Sequence, residues 1–215
     1  MLLSLELFDA ETKGGTFMLN EMIGSVVQAG LFALVPLIVW FITARKEESF
    51  FAWIGLKKPV CKEKTKTVLI AAAATIAYIA AMNISMKILP EGITTAGSQF
   101  RGQGAAGIVS VFFNAFVRTA LSEEVLFRGF LLKRIQKRYG FPVGNTVQAL
   151  LFGLLHGIPF GLITRSVFTG ILLTLLPGLF GWFQGWLNEK RCGGSIVPSW
   201  LLHGCVNFLT GVMSL

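Results

Sequence analysis

Charge is scarce in this chain. Asp, Glu, Lys and Arg together make 14% of the 215 residues, against 53% hydrophobic, a balance that excludes a soluble domain and indicates a polytopic membrane protein. Cysteine is nearly missing. Cys61, Cys192 and Cys205 are odd in number and show no CxxC spacing, so ordinary thiols are expected rather than a disulfide framework. No HExxH occurs, which removes the usual helical signature of a zinc protease. The first twenty residues carry Glu6, Asp9 and Glu11 without a basic n-region, which argues against a cleaved signal peptide. Histidine occurs only twice.

What is abundant is apolar sequence in long runs, together with 24 glycines suited to close helix–helix approach in lipid. Residues 22–43 hold no charge and exceed the about 20 residues a span needs. Further spans are expected at 67–89, 107–135, 142–158, 166–187 and 196–213. Pro142 fits a first turn, Gly157 and Pro159 mark a helix end, Pro177-Gly178 a kink, and Ser195 an N-cap. The expected fold is all-α: a polytopic membrane helix bundle of about six transmembrane helices in one domain, 1–215. Within it, 1–21 reads as an extracytoplasmic segment, 22–106 as two peripheral spans with loops, and 107–215 as a four-helix catalytic core. Segment 45–66, with Phe50, Phe51, Trp53, Ile54 and Leu56 among its lysines, is expected partly on the membrane surface.

The net charge of +8 invites a nucleic-acid reading, but its placement speaks for topology instead. Loops 45–66, 133–138 and 188–192 hold seven, four and two of the 19 Lys and Arg. Six alternating spans put all three loops on one side, so the positive-inside rule makes that side cytoplasmic and both termini extracytoplasmic.

Against this apolar ground, Ser122-Glu123-Glu124-Val125-Leu126-Phe127-Arg128-Gly129 stands out. Charges at bilayer depth survive only toward a bundle interior or a water-filled cavity. At about 100° per residue the two glutamates face different ways, and Arg128 stands four residues beyond Glu124. Arg128 is therefore expected on Glu124, leaving Glu123 the less committed carboxylate. A buried structural ion pair is the plain alternative. Both histidines also fall inside spans. His156 shares a face with Gln148 and Phe152, and His203 shares one with Asn207. By helix rise, Glu123 and His203 lie roughly 15 and 12 Å inside the basic edge, but His156 roughly 21 Å. Arg118, deep in the third span, is either a local structural pairing or a substrate contact.

Taken together, Glu123-Glu124-x-x-x-Arg128, Phe152-x-x-x-His156 and His203-x-x-x-Asn207 on successive helices resemble the three signatures of the CPBP family. That family includes CAAX prenyl endopeptidases and bacterial Abi proteins, and the resemblance covers about 112–207. It implies an intramembrane endopeptidase of the bacterial cell (plasma) membrane, acting on a membrane-associated or lipidated peptide or protein. It further implies that Glu123 and His156 activate water, that His203 and Asn207 stabilise the oxyanion, and that Glu124 and Arg128 support them. The chemistry coheres by itself, because a desolvated carboxylate gains basicity and paired donors act strongly in a dry pocket.

No cofactor and no metal are expected, and no nucleic acid; the partners are the substrate and the bilayer. Two alternatives remain open. One is a zinc-dependent membrane protease with Glu123, His156 and His203 as ligands. The other is a non-catalytic immunity or scaffold protein in which the polar cluster only cements the bundle. Cys205 is not expected as a nucleophile, since it faces away from His203.

Overall fold

A computed structural model of the chain describes residues 2–90, 93 and 96–215, with 2–14 and 96 described by backbone alone. The described residues form an all-α bundle: α1 (Leu2–Thr43), α2 (Phe50–Ile54), α3 (Lys64–Ile88), α4 (Gly104–Tyr139), α5 (Phe141–Thr164), α6 (Val167–Arg191) and α7 (Val197–Val212). Five of them, α1 and α3 to α6, are long and apolar enough to cross a membrane. The sixth expected span is α7, whose 16 residues fall short of that length.

Several boundaries differ from the sequence expectation for identifiable reasons. α1 does not begin near residue 22 but runs back to Leu2, because the preceding stretch holds no proline to stop it. The side chains of Glu6, Asp9 and Glu11 lie outside the described residues. α5 does not stop at Gly157 and Pro159; it continues to Thr164 and ends at Arg165, whose φ of 51° leaves the helix. Ser166 caps α6 by accepting from the Thr169 amide at 3.2 Å. Ser195 stands two residues before α7, accepts from the Val197 amide at 3.2 Å and donates to the Lys57 carbonyl at 2.6 Å.

α4 departs most. Its centre is π-helical over Phe113–Leu121 and again over Glu124–Leu132, so Ser122 and Glu123 sit at the junction of two widened stretches. Such i→i+5 turns concentrate at functional sites.

α5 and α6 form the tightest pair, and glycine is the reason. A Cβ on Gly157 would overlap the Thr174 hydroxyl and the Gly170 carbonyl, and one on Gly153 would overlap the Thr174 carbonyl. Small residues at four-residue spacing let two backbones meet directly, which is how helices associate without a hydrophobic drive in lipid.

At the basic end, segment 45–66 packs part of its aromatic row against the bundle. Ser49 caps α2 and Gly55 ends it at φ 80°, a fold-back that turns Trp53 (3% exposed) and Ile54 (1%) into the core. Arg134 covers the Trp53 ring at 3.8 Å and donates to its carbonyl at 3.1 Å. Phe51 and Val60 remain outward.

The thiol expectation is corrected for two of the three cysteines. Cys61 and Cys192 form a disulfide that ties the segment before α3 to the end of α6. A separation of 131 residues hides such a pair from any local spacing rule. The same strap carries the Arg191–Glu63 ion pair at 3.0 Å and two Arg191 bonds to the Thr67 hydroxyl at 2.9 and 3.1 Å. The Arg191 bond, then Lys66, holds the exposed Glu63 carboxyl below its usual range.

Candidate active site

Glu124 and Arg128, both 0% exposed, pair at 3.2 Å across one turn of α4, as their spacing requires. A buried pair survives only if its remaining valences are met. Here three other helices meet those of Glu124 and part of those of Arg128, whose Nε and Nη1 have no hydrogen-bond partner. The Ser199 hydroxyl donates to Glu124 Oε2 at 2.5 Å, and His203 Nδ1 donates to Oε1 at 3.1 Å. Arg128 Nη2 donates to Gln184 Oε1 at 2.7 Å, and the guanidinium lies 4.2 Å over the Phe152 ring. Asn188 then donates to the Ser199 hydroxyl at 2.7 Å. Glu124 is thus a structural anion with both carboxylate oxygens engaged.

Glu123 is in the opposite situation. Its side chain is 18% exposed, and its buried Oε2 has no hydrogen-bond partner. His203 Nε2 lies 3.6 Å from that oxygen. His203 therefore stands between the two carboxylates, one ring nitrogen committed to Glu124 and the other turned toward Glu123.

A cavity of about 350 Å³ opens at this point, and Glu123, His156, His203 and Asn207 all line it. α4 supplies the first, α5 the second and α7 the last two. His156 Nδ1 lies 2.8 Å from the Phe152 carbonyl, which only accepts, so the proton is on Nδ1 and Nε2 keeps its lone pair. The Asn207 amide donates to the Thr119 hydroxyl at 3.1 Å, and that hydroxyl is anchored on the Asn114 carbonyl at 2.7 Å. Phe152 lies tilted against His156 at 4.5 Å and meets His203 edge-on at 6.0 Å. The arrangement offers a free carboxylate, an imidazole acceptor, and donors aimed into one apolar-walled space.

Other singled-out residues lie elsewhere. Gln148 is fully buried and bonds the Gly181 carbonyl at 3.0 Å, joining α5 to α6 away from the cavity. Arg118 is the local structural pairing: it meets Glu21 at 2.9 Å and Gln28 at 3.2 Å on α1. Cys205 is exposed on α7. Among the described residues, no group of three or more His, Cys, Asp or Glu converges as a metal site.

Sequence reasoning missed Ser199, Gln184 and Asn188. Ser199 stands four residues before His203, on the face that also carries Asn207, and Gln184 and Asn188 share one face of α6; polar residues in register on apolar helices were the available signal. It also missed Tyr78, which lines the cavity from α3 and stacks on Phe180 at 4.2 Å.

Residues 105–209 match the family model described as type II CAAX prenyl endopeptidase Rce1-like. The matched stretch runs from the start of α4 to two residues past Asn207 and contains every residue of the three motifs. No curated protein and no solved structure matches the chain.

Proposed function

We propose, for an integral membrane protein that belongs through residues 105–209 to the Rce1-like type II CAAX prenyl endopeptidase family, that it hydrolyses a peptide bond with a water activated by Glu123. One observation carries this reading. Of two adjacent glutamates, Glu124 is saturated by Arg128, Ser199 and His203, while Glu123 faces the cavity with an unpartnered oxygen.

In this mechanism Glu123 takes a proton from water while Nε2 of His156, the ring atom left with a lone pair, helps hold that water. The hydroxide attacks the scissile carbonyl carbon, and the developing oxyanion accepts hydrogen bonds from the Asn207 amide and from Nε2–H of His203 as an imidazolium, the form in which both ring nitrogens donate. Donors fixed before the charge appears need no reorganisation, which is why they act strongly in a dry site. Glu123 then returns its proton to the leaving amine as the C–N bond breaks. Glu124 is a positioning residue: its bond to Nδ1 fixes the His203 ring, as a carboxylate does for a histidine in other catalytic sites. The substrate is a membrane-associated peptide, because most of the cavity lining belongs to α3 to α7, with Ile93, Gly97 and Phe100 of the segment between α3 and α4 completing it.

The test is to incubate detergent-purified protein with a panel of single-span peptides and map the cuts by mass spectrometry. Glu123→Gln should lower the rate roughly 10²–10⁴-fold, the usual loss for a general base. Full activity in that variant would overturn the assignment.

A further inference from the structure

The two groups that face the developing oxyanion, His203 and Asn207, are each met by a residue of α4. For His203 that residue is Glu124, at 3.1 Å. For Asn207 it is Thr119, whose hydroxyl accepts from Nδ2 at 3.1 Å. Thr119 and Asn207 both line the cavity that holds Glu123. A hydroxyl has a single proton to give, and a carbonyl oxygen can only accept. Thr119 spends its proton on backbone carbonyls, that of Asn114 at 2.7 Å and that of Ala115 at 3.0 Å. Toward Asn207 the hydroxyl is therefore an acceptor and nothing else. The widened helix supports this arrangement. An α turn would offer Thr119 the carbonyl four residues back, whereas the π stretch Phe113–Leu121 also brings the one five residues back within reach. Asn114 is itself held in place. It is 6% exposed and donates from its side chain to Glu21 on α1 at 3.3 Å, and the other oxygen of Glu21 takes Arg118 at 2.9 Å.

We infer that Thr119 is a positioning residue that sets which way round the Asn207 side-chain amide sits, so that the site is offered a donor and not an acceptor. A primary amide has two ends of nearly equal shape, an oxygen that accepts and a nitrogen that donates. Turned over, Asn207 would set its oxygen against the Thr119 oxygen with no proton between them. The same turn would present an oxygen to the developing oxyanion. The Thr119 hydroxyl rejects that form before substrate arrives, which is the condition under which an oxyanion donor acts most strongly. With one hydrogen of Nδ2 on Thr119, the other is left free for the reaction. The support behind Thr119 reaches Glu21 on α1, outside the matched stretch 105–209. The role rests on the peptidase reading for its oxyanion, but the orientation of the amide does not.

Two measurements test this role. The first reads orientation without cleavage. Full-length protein in detergent is labelled with nitrogen-15 at asparagine only, and the side-chain amide signal of Asn207 is identified as the one missing from Asn207→Ala. Thr119→Val keeps the size and branching of the residue and removes the hydroxyl, so this signal should shift and its hydrogens should exchange faster with solvent. Thr119→Ser should leave it near the parent position. The second measurement reads cleavage of the peptide panel. Thr119→Val should lower kcat by roughly 10- to 10²-fold with KM little changed, within the about 10²–10³-fold that loss of one oxyanion donor costs. Thr119→Ser should recover most of that rate. In an Asn207→Ala background Thr119→Val should lower the rate no further, because it acts only through Asn207. Thr119→Ala repeats both measurements should Thr119→Val fail to accumulate. An Asn207 signal indifferent to loss of the hydroxyl overturns the inference, as do losses from the two substitutions that simply multiply, the pattern of a hydroxyl that serves only its own helix. If the signal responds but Asn207→Ala cuts as well as the parent, the orientation stands and the oxyanion assignment falls. If it responds in a protein that cuts no peptide, the orientation stands and the peptidase reading falls.

Discussion

Replacing Glu124 with glutamine tests the division of labour between the two carboxylates most directly. The substitution keeps the shape and an oxygen for Ser199, but it removes the charge facing Arg128, which is 0% exposed. Arg128 would retain only the Gln184 oxygen and the Phe152 ring. Breaking a buried pair by removing one partner costs about 3–5 kcal/mol. At about 2–4 °C per kcal/mol for a chain of this size, the melting temperature should fall by roughly 6–20 °C. Arg128→Ala should resemble it, because it strands the other partner. Replacing both, as Glu124→Leu with Arg128→Met, should recover part of the loss, since paired removal leaves no lone charge. Glu123→Gln should melt within about 1 kcal/mol of the parent, because Oε2 has no bond to lose. The assay is thermal unfolding in detergent beside peptide cleavage for all four proteins. A Glu124→Gln variant that melts like the parent, or a Glu123→Gln variant that melts early and still cuts, would refute the reasoning.

Gly157→Leu should separate α5 from α6 and destabilise by about 1–3 kcal/mol or more, because a Cβ there overlaps Thr174 and Gly170; melting and cleavage should fall together. Cleavage should survive strong chelators, with no stoichiometric zinc in the purified protein by elemental analysis; loss with chelator and recovery with zinc would transfer Glu123 and the histidines to a metal. If the basic face is cytoplasmic, as the positive-inside rule proposes, Cys61 and Cys192 should be free thiols in freshly lysed, alkylated cells, because that compartment keeps thiols reduced, and the purified protein should hold the bridge in air. An oxidised pair inside cells would place the basic face outside and reverse the orientation.

The motif residues were legible because the bilayer makes them so. Glu123, Glu124, Arg128, His156, His203 and Asn207 are polar groups in helices where polarity is expensive, and the structure gathers them around one cavity or directly beneath it. The helix break at Gly140 was legible from glycine and the start of α6 from its apolar run, whereas the cap expected at Ser195 stands one residue before the actual N-cap, Ile196. Pro159 misled, since a proline that breaks an isolated helix is carried inside α5 when neighbouring helices meet the freed backbone. The disulfide was invisible because its partners meet only in three dimensions. Tyr78 was overlooked because α3 carries no motif and reads as a plain apolar span, although it forms one wall of the site.

The widened stretches of α4 have a genetic consequence. A π turn holds a residue that an α turn would not, so Phe113–Leu121 behaves as an α-helix that has absorbed an insertion. Deleting one residue there would return the stretch to α geometry and leave the helix faces on either side in register, because the widened turn already takes up the extra residue. Deleting one from an α-helical part such as Ile108–Phe112 would instead rotate everything before it by about 100° relative to everything after. The composition would hardly change in either case and the hydropathy profile would not register it. Single-residue gaps are thus absorbed in the widened stretches and damaging beside them, where substitutions at exposed positions such as Phe112 are the cheaper route by which this helix can drift.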